Sequence, residues 1–223
     1  MSDLLMTIAI LGGTGKEGKG LAYRWAKAGY KVAIGSRTPE KARAAAAELA
    51  EMLGESASIE GLDNLAAAQK ADIVVLTVPY AAHKDTLLAV KEALQGKILI
   101  DVTVPLVPPK VTKVQMPSAG SAAQEAVEIL GEGVQVVDAF QNISYEHLMN
   151  EGEPPCDVLV TGTSKNAREE ALKLVKAAGL TGWDAGPIEN SVVVEGLTSV
   201  LIYMNKQYGS THAGIKITGV VHQ

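Results

Sequence analysis

Along this chain, short runs of consecutive apolar and β-branched residues alternate with longer stretches in which Ala, Leu and Val recur every three or four positions. The runs have the length of strands buried on both faces, and the stretches have the period of amphipathic helices. This is the pattern of βαβ units rather than of a sandwich. Strands are predicted at 7–11, 31–35, 73–77, 97–101, 134–140 and 158–161, and helices at 16–28, 39–53, 80–95, 119–130 and 165–178. Thr38 followed by Pro39 marks the start of the second helix, an N-cap ahead of a proline at the first helical position. A last segment, from 188 to about 207, carries Val192, Val193, Leu197, Leu201 and Met204 at helical spacing and is expected as a long, mostly buried helix.

Right-handed crossovers between such units lead to an α/β fold, a doubly wound parallel Rossmann-type sheet. A chain of 223 residues buries about 70–75% of its unfolded surface, enough for one large domain or a domain with a smaller appendage. The boundary signals are Gly131 to Gly133 and Pro154-Pro155. They suggest a dinucleotide-binding domain over 1–140 and a smaller C-terminal α/β part over 141–223, sharing one sheet or packed tightly because no linker intervenes.

Composition narrows the partners. Only 9 of 223 residues are aromatic, so the core is expected to be aliphatic, as under Ala-rich helices on a parallel sheet. A net charge of −5 without a block of like charges argues against nucleic acid. Cys156 is the single cysteine; it excludes an internal disulfide, provides no zinc-ligand spacing and suggests a reducing, cytoplasmic setting and a buried core role. The apolar stretch from Leu4 to Leu11 is too short for a targeting signal. The run from Ile73 to Ala82 is half the ~20 residues that a membrane span needs.

The first strand runs into Gly12-Gly13-Thr14-Gly15-Lys16-Glu17-Gly18-Lys19-Gly20, which contains G-x-G-x-x-G as Gly13, Gly15 and Gly18. Placed between a strand and an amphipathic helix, the motif predicts a dinucleotide. Gly13 would permit the tight turn, Gly15 the approach of a pyrophosphate to the backbone, and Gly18 the packing of helix on strand. A phosphate-binding P-loop is excluded, because it needs Ser or Thr where Gly20 stands. The second strand ends Gly35-Ser36-Arg37-Thr38, with Lys41 one turn on and no carboxylate at the tip. A carboxylate would select the 2′-hydroxyl of NAD; the cations select the 2′-phosphate of NADP. Lys16, Lys19, Arg37 and Lys41 are expected as a basic cluster at that edge.

Taken together, the glycine loop, Gly35-Ser36-Arg37, Leu76-Thr77-Val78-Pro79, the segment from Asp184 to Ser191 and the tail Gly214-Ile215-Lys216 resemble the NADPH-dependent coenzyme F420 reductases over nearly the whole chain. The resemblance implies hydride transfer between NADP(H) and the deazaflavin F420. It implies that Thr14, Gly15, Lys16 and Glu17 line the pyrophosphate and that Ser36, Arg37 and Lys41 hold the 2′-phosphate. It further implies that Val78 and Val104 run toward the nicotinamide, and that the deazaflavin stacks near Gln141 to Ile143 and Ala213. Where archaeal members have a His that contacts the deazaflavin, this chain has Gln141, which can hydrogen-bond but cannot carry a proton near neutral pH.

Such chemistry needs no nucleophile and no metal. Gln141 and Asn142 are candidate donors to the ring edge. His147 is the first candidate for proton handling, and His212, near the tail that would cover the deazaflavin, is a second. His83 is expected as a partly exposed helix residue, His222 as frayed terminus, and Glu195 as a partnered or interface carboxylate. The last helix suggests a homodimer. Two alternatives stay open at this point: a reductase of another acceptor (flavin, ferric chelate or imine), and a non-catalytic NADP-binding sensor.

Overall fold

The computed structural model describes residues 6–54, 57–150, 152 and 155–220; His222 and Pro154 lie outside them. Eight strands form one sheet in the order β3-β2-β1-β4-β5-β6-β7-β8. They are β1 (Thr7–Leu11), β2 (Lys31–Ser36), β3 (Ile59–Asp63), β4 (Ile73–Leu76), β5 (Ile98–Asp101), β6 (Gln135–Asp138), β7 (Asp157–Gly162) and β8 (Thr181–Pro187). The first six are parallel. The helices are α1 (Lys16–Lys27), α2 (Pro39–Leu53), α3 (Asn64–Lys70), α4 (Tyr80–Leu94), α5 (Ala122–Leu130), α6 (Tyr145–Met149), α7 (Lys165–Ala177) and α8 (Ser191–Tyr208), the last preceded by a 3-10 turn at Ile188–Asn190.

Period two along the buried strands sorts side chains into two cores. Ile8 and Ile10 of β1 join Leu21, Trp25, Ala42, Leu49, Ala167 and Leu174 beneath α1, α2 and α7. Ala9 and Leu11 join Ala67, Leu87, Leu94, Ala123 and Leu130 beneath α3, α4 and α5. Small Ala residues let helices lie close on both faces, which is why so few aromatics suffice. Trp25 is fully buried; it donates from Nε1 to Leu174 O at 2.9 Å and meets Phe140 edge to face at 5.8 Å.

One strand breaks the parallel expectation. β7 pairs with β6 antiparallel, because the connection between them holds only the five-residue α6, too little to cover a parallel crossover. β8 then pairs with β7 in parallel across α7. The C-terminal segment thus extends the same sheet. The start of β7 and the tail over 213–217 come to the carboxyl side of the parallel strands, where Asp157 N donates to Ile215 O at 2.8 Å.

The last helix is less buried than its spacing suggests. Its inward residues are Ser191, Val194, Glu195, Gly196, Ser199 and Leu201. Val192, Val193, Val200, Tyr203 and Met204 are exposed, Val193 to 67%. The inner side of α8 is polar because it caps α5: Glu195 Oε2 accepts from Ala122 N at 2.7 Å and Oε1 from Ala123 N at 2.9 Å.

Candidate functional site

A cleft of about 690 Å³ crosses the carboxyl ends of the parallel strands, where strand order reverses between β1 and β4 and open α/β sheets bind ligands. Its floor at one end is the glycine loop. The turn itself is made at Gly12, whose φ of +74° favours glycine and whose Cβ would lie 2.6 Å from Val78. Gly13, expected to supply that turn, has no positive φ; it is needed because a Cβ would sit 2.7 Å from Ile10 O. Gly18 packs α1 on the strands, as a Cβ there would approach Gly13 Cα to 2.6 Å.

Gly15 is different. A Cβ would meet nothing closer than 3.6 Å, and its φ is −73°, so neither packing nor conformation requires a glycine. Its bare backbone lines the cleft at the N-cap of α1, which has no side-chain cap. Open N–H groups and the positive helix end fit a pyrophosphate. Thr14, Lys16 and Glu17 line the same wall. Lys16 Nζ is hydrogen-bonded to Tyr145 OH at 2.9 Å, which raises its pKa. Glu17 Oε1 is buried without a partner among the described residues, and burial raises this carboxyl to about 8.

Beside the tip of β2 stand Ser36, Arg37, Thr38 and Lys41. Ser36 is buried, with Oγ accepting from Thr38 N at 3.1 Å. Arg37 and Lys41 have no side-chain partner among the described residues, so both cations are available to a phosphate. Lys19 is not: it pairs with Glu48 at 2.5 Å away from the cleft. The basic edge is therefore Lys16, Arg37 and Lys41. Asn64, which the sequence reading missed, lines the cleft where β3 passes into α3 and accepts weakly from Gly12 N at 3.4 Å.

The other end is mostly apolar: Val78, Pro79, Val102, Val104, Leu106, Pro108, Val111, Phe140 and Ile143, with Thr103 and Gln141 among them. The long loop after β5 supplies Leu106, Pro108 and Val111, none of which was singled out from sequence. Phe140 holds φ at +75°, a conformation that costs a bulky residue about 1–3 kcal/mol. That turn ends β6 and folds Gln141 back beneath the cleft. Gln141 Nε2 donates to Asp101 O at 2.7 Å and to Asp138 Oδ1, so both amide hydrogens are taken up within the protein and Gln141 is not the free donor expected. Asn142 is turned away, donating to Val194 O at 3.0 Å and Thr198 Oγ1 at 3.2 Å. Ala213 is not on the cleft wall either; its N–H donates to Asn205 Oδ1 at 2.9 Å while Gly214 lies flat on Cys156.

Behind this wall lies a buried polar group. His83 is fully buried, contrary to expectation, with Nε2 2.7 Å from Asp101 Oδ2 and Nδ1 3.5 Å from Glu125. Burial opposes its protonation, but Asp101, Glu125 and Glu195 raise its pKa overall. Asp138 is pushed well up by burial and by Glu195 and Asp101. Burial likewise raises Glu195 to about 8, against the pull of the two α5 N–H groups. His147 and His212 stack edge to face at 5.3 Å outside the cleft wall. Among the described residues no three His, Cys, Asp or Glu side chains are grouped to hold a metal, and no helix is long and apolar enough to cross a membrane.

Comparison with known proteins identifies the family. Residues 7–105 match the family described as NADP oxidoreductase, coenzyme F420-dependent. The F420-dependent NADP reductase of Methanothermobacter thermautotrophicus is 40% identical over 99% of this chain and 98% of its own length. That of Methanocaldococcus jannaschii is 40% identical over 96% and 99%. A crystal structure of an Arthrobacter protein superposes with a TM-score of 0.79 at 26% identity, covering 96% of this chain and 99% of that one. An imine reductase from Myxococcus stipitatus, at 18% identity and a TM-score of 0.63, shares the fold over 92% of this chain and 63% of its own. On full-length identity to the methanogen enzymes, the chain belongs to the F420-dependent NADP reductase family.

Proposed function

We propose that this chain is an NADPH-dependent F420 reductase, exchanging a hydride between NADP(H) and F420. The observation that carries the reading, within the family, is the asymmetry of one cleft: unpaired cations and bare backbone at one end, a largely apolar slot at the other. When bound, NADP(H) and F420 supply the redox chemistry. The protein binds, aligns and dries the site.

In this reading Thr14, Gly15, Lys16 and Glu17 surround the pyrophosphate, and Gly13 and Gly18 shape the loop. Ser36 and the Arg37 fork hold the 2′-phosphate, with Lys41 as a second charge. Val78 and Val104 flank the path to the hydride end, where Gln141 and Ile143 meet the second ring. Asn142 and Ala213 support that wall from behind. An aliphatic slot keeps water out and holds two flat rings at about 3–3.5 Å, which is what hydride transfer asks of a protein.

The exposed apolar stripe of α8 supports a homodimer, and the lone buried Cys156 supports a cytoplasmic setting. Loss of F420 visible absorbance on mixing with NADPH and enzyme tests the reading. NADH is expected to serve at least about tenfold less well, and Arg37→Ala to raise KM for NADPH with kcat little changed. NADPH binding without turnover of F420 would contradict it.

A further inference from the structure

The short helix α6 is laid along one face of α1, on which Lys16, Gly20 and Arg24 follow one another at intervals of four. Lys16 Nζ donates to Tyr145 OH at 2.9 Å and stands 4.5 Å from the centre of that ring. Gly20 comes so near α6 that a Cβ would lie 2.5 Å from Leu148 Cβ. Arg24 closes the far end, donating to His147 O and Leu148 O at 2.8 Å and to Asn150 O at 2.7 Å. These contacts fix α6, and Tyr145 with it, against the helix that follows the glycine loop.

Tyr145 stands beside the cleft: Lys16, its partner, lines the wall, and so does Ile143, two residues before it. Lys16 is also the first residue of α1, the end where the helix dipole disfavours a cation. Lys19, one turn on, has its charge offset by Glu48. The Lys16 charge is not offset in this way. Among the described residues its ammonium has no carboxylate within ion-pair distance; Glu146 attracts it only at longer range and itself accepts from Thr211 Oγ1 at 3.0 Å. A neutral hydroxyl and an aromatic ring hold the ammonium without cancelling its charge, and two of its three N–H donors stay free. Helix stability alone would favour an acidic residue at this position, whereas a fixed, uncancelled cation suits an anion bound at the bare helix end.

We propose that Tyr145 is a positioning residue that holds the ammonium of Lys16 in place for an anion bound at the start of α1. On the functional reading above, on which this role rests, the anion is the dinucleotide pyrophosphate; the anchoring of Lys16 does not depend on that reading. A lysine already held loses less freedom on binding than one that moves freely, so the anchor lowers the cost of the contact. Because NADP and NAD share the pyrophosphate, the anchor adds affinity without choosing between them.

Calorimetric titrations of the full-length protein with NADP+ and with adenosine 2′-monophosphate, which keeps the 2′-phosphate and lacks the pyrophosphate, test the role. Tyr145→Phe, which keeps the ring and loses the hydroxyl, should raise Kd for NADP+ about three- to fivefold; Tyr145→Leu, which loses both, should raise it about tenfold. Kd for adenosine 2′-monophosphate should stay within about twofold in both variants. In a Lys16→Met background, Tyr145→Phe should have no further effect on NADP+, since the anchor then holds nothing. An unchanged or tighter Kd for NADP+ in both Tyr145 variants, an equal loss for the two ligands, or the same loss in the Lys16→Met background overturns the proposal.

If NADP+ does not bind the wild type, the functional reading fails and the pyrophosphate role falls with it. The anchor is then judged on NMR relaxation of the Lys16 side chain labelled at Cε. Restricted motion in the wild type with freer motion in Tyr145→Leu supports it. Equal motion in the two contradicts it.

Discussion

His83 at the start of α4 and Asp101 at the end of β5 meet at 2.7 Å with neither side chain exposed to solvent. This pair ties a helix to the strand tip beneath the apolar end of the cleft, and it belongs to a buried group that binds protons more tightly folded than unfolded. His83 is raised, Asp138 is raised, and Glu195 is raised to about 8. The sign is the same for all three. For His83, stabilisation is complete below the unfolded imidazole value and is lost as pH rises through the folded one. For the two acids, the unfolded chain releases protons first, so stability declines from the ordinary carboxylate range upward. Each group contributes about 1.4 kcal/mol per pH unit within its window. The thermal midpoint should therefore fall between about pH 5 and pH 9, and Asp138→Asn should make the fall shallower. A midpoint that is level or rises over that range in the wild type would contradict the assignment.

Glu17 sets a limit on alkaline binding. It lines the glycine-loop end of the cleft and burial raises its carboxyl to about 8; on the proposed reading it is neutral at neutral pH and becomes an anion beside the phosphates above that value. KM for NADPH is expected to rise above about pH 8, and Glu17→Gln to remove the rise. The check is a pH profile of KM for both proteins. An unchanged profile in the variant would count against a role for Glu17 in the cleft.

The glycines of the loop separate by cause. Gly18→Ala forces a Cβ within 2.6 Å of Gly13 and should destabilise the fold by about 1–3 kcal/mol. Gly15→Ala has room, so it should unfold near the wild-type temperature while weakening NADPH binding by about tenfold or more. Thermal scans paired with calorimetric NADPH titrations distinguish the two. Equal loss of stability in both variants would remove the argument that Gly15 is shaped by a ligand.

The outer stripe of α8, with Val193 67% and Tyr203 53% exposed, is expected to be covered by a second copy. Light scattering at micromolar concentration should give twice the monomer mass of 23.3 kDa, and Val193→Glu should halve it without lowering the helix content. A wild-type monomer would overturn the homodimer.

Strands and helices with strong periodicity were legible in the sequence, as was the grouping of the glycine loop with Ser36, Arg37 and Lys41 at one end of the cleft, because both motifs sit at neighbouring strand tips. The edges were not. β3 is an edge strand carrying Glu60 and Gly61, the latter required because α2 passes so close that a Cβ would lie 2.2 Å from Ala42 and Arg43 backbone; its apolar pattern is therefore weak, and Asn64 behind it was missed. β8 carries two glycines and lacks a β-branched run. At the apolar end of the cleft, spacing placed Gln141 and Asn142 together, but the positive φ of Phe140 turns one amide beneath the cleft and the other toward α8. His83 looked like a helix surface residue because its partner, Asp101, lies 18 positions away on another element.

The most direct test of hydride exchange follows the hydrogen itself. NADPH carrying deuterium on the transferred face of nicotinamide C4 is incubated with the enzyme and F420 in ordinary water, and the reduced deazaflavin is examined by mass spectrometry and NMR. One deuterium at ring carbon C5 is the expected result. Reduced deazaflavin without the label, or NADPH that binds and is never consumed, would contradict the account.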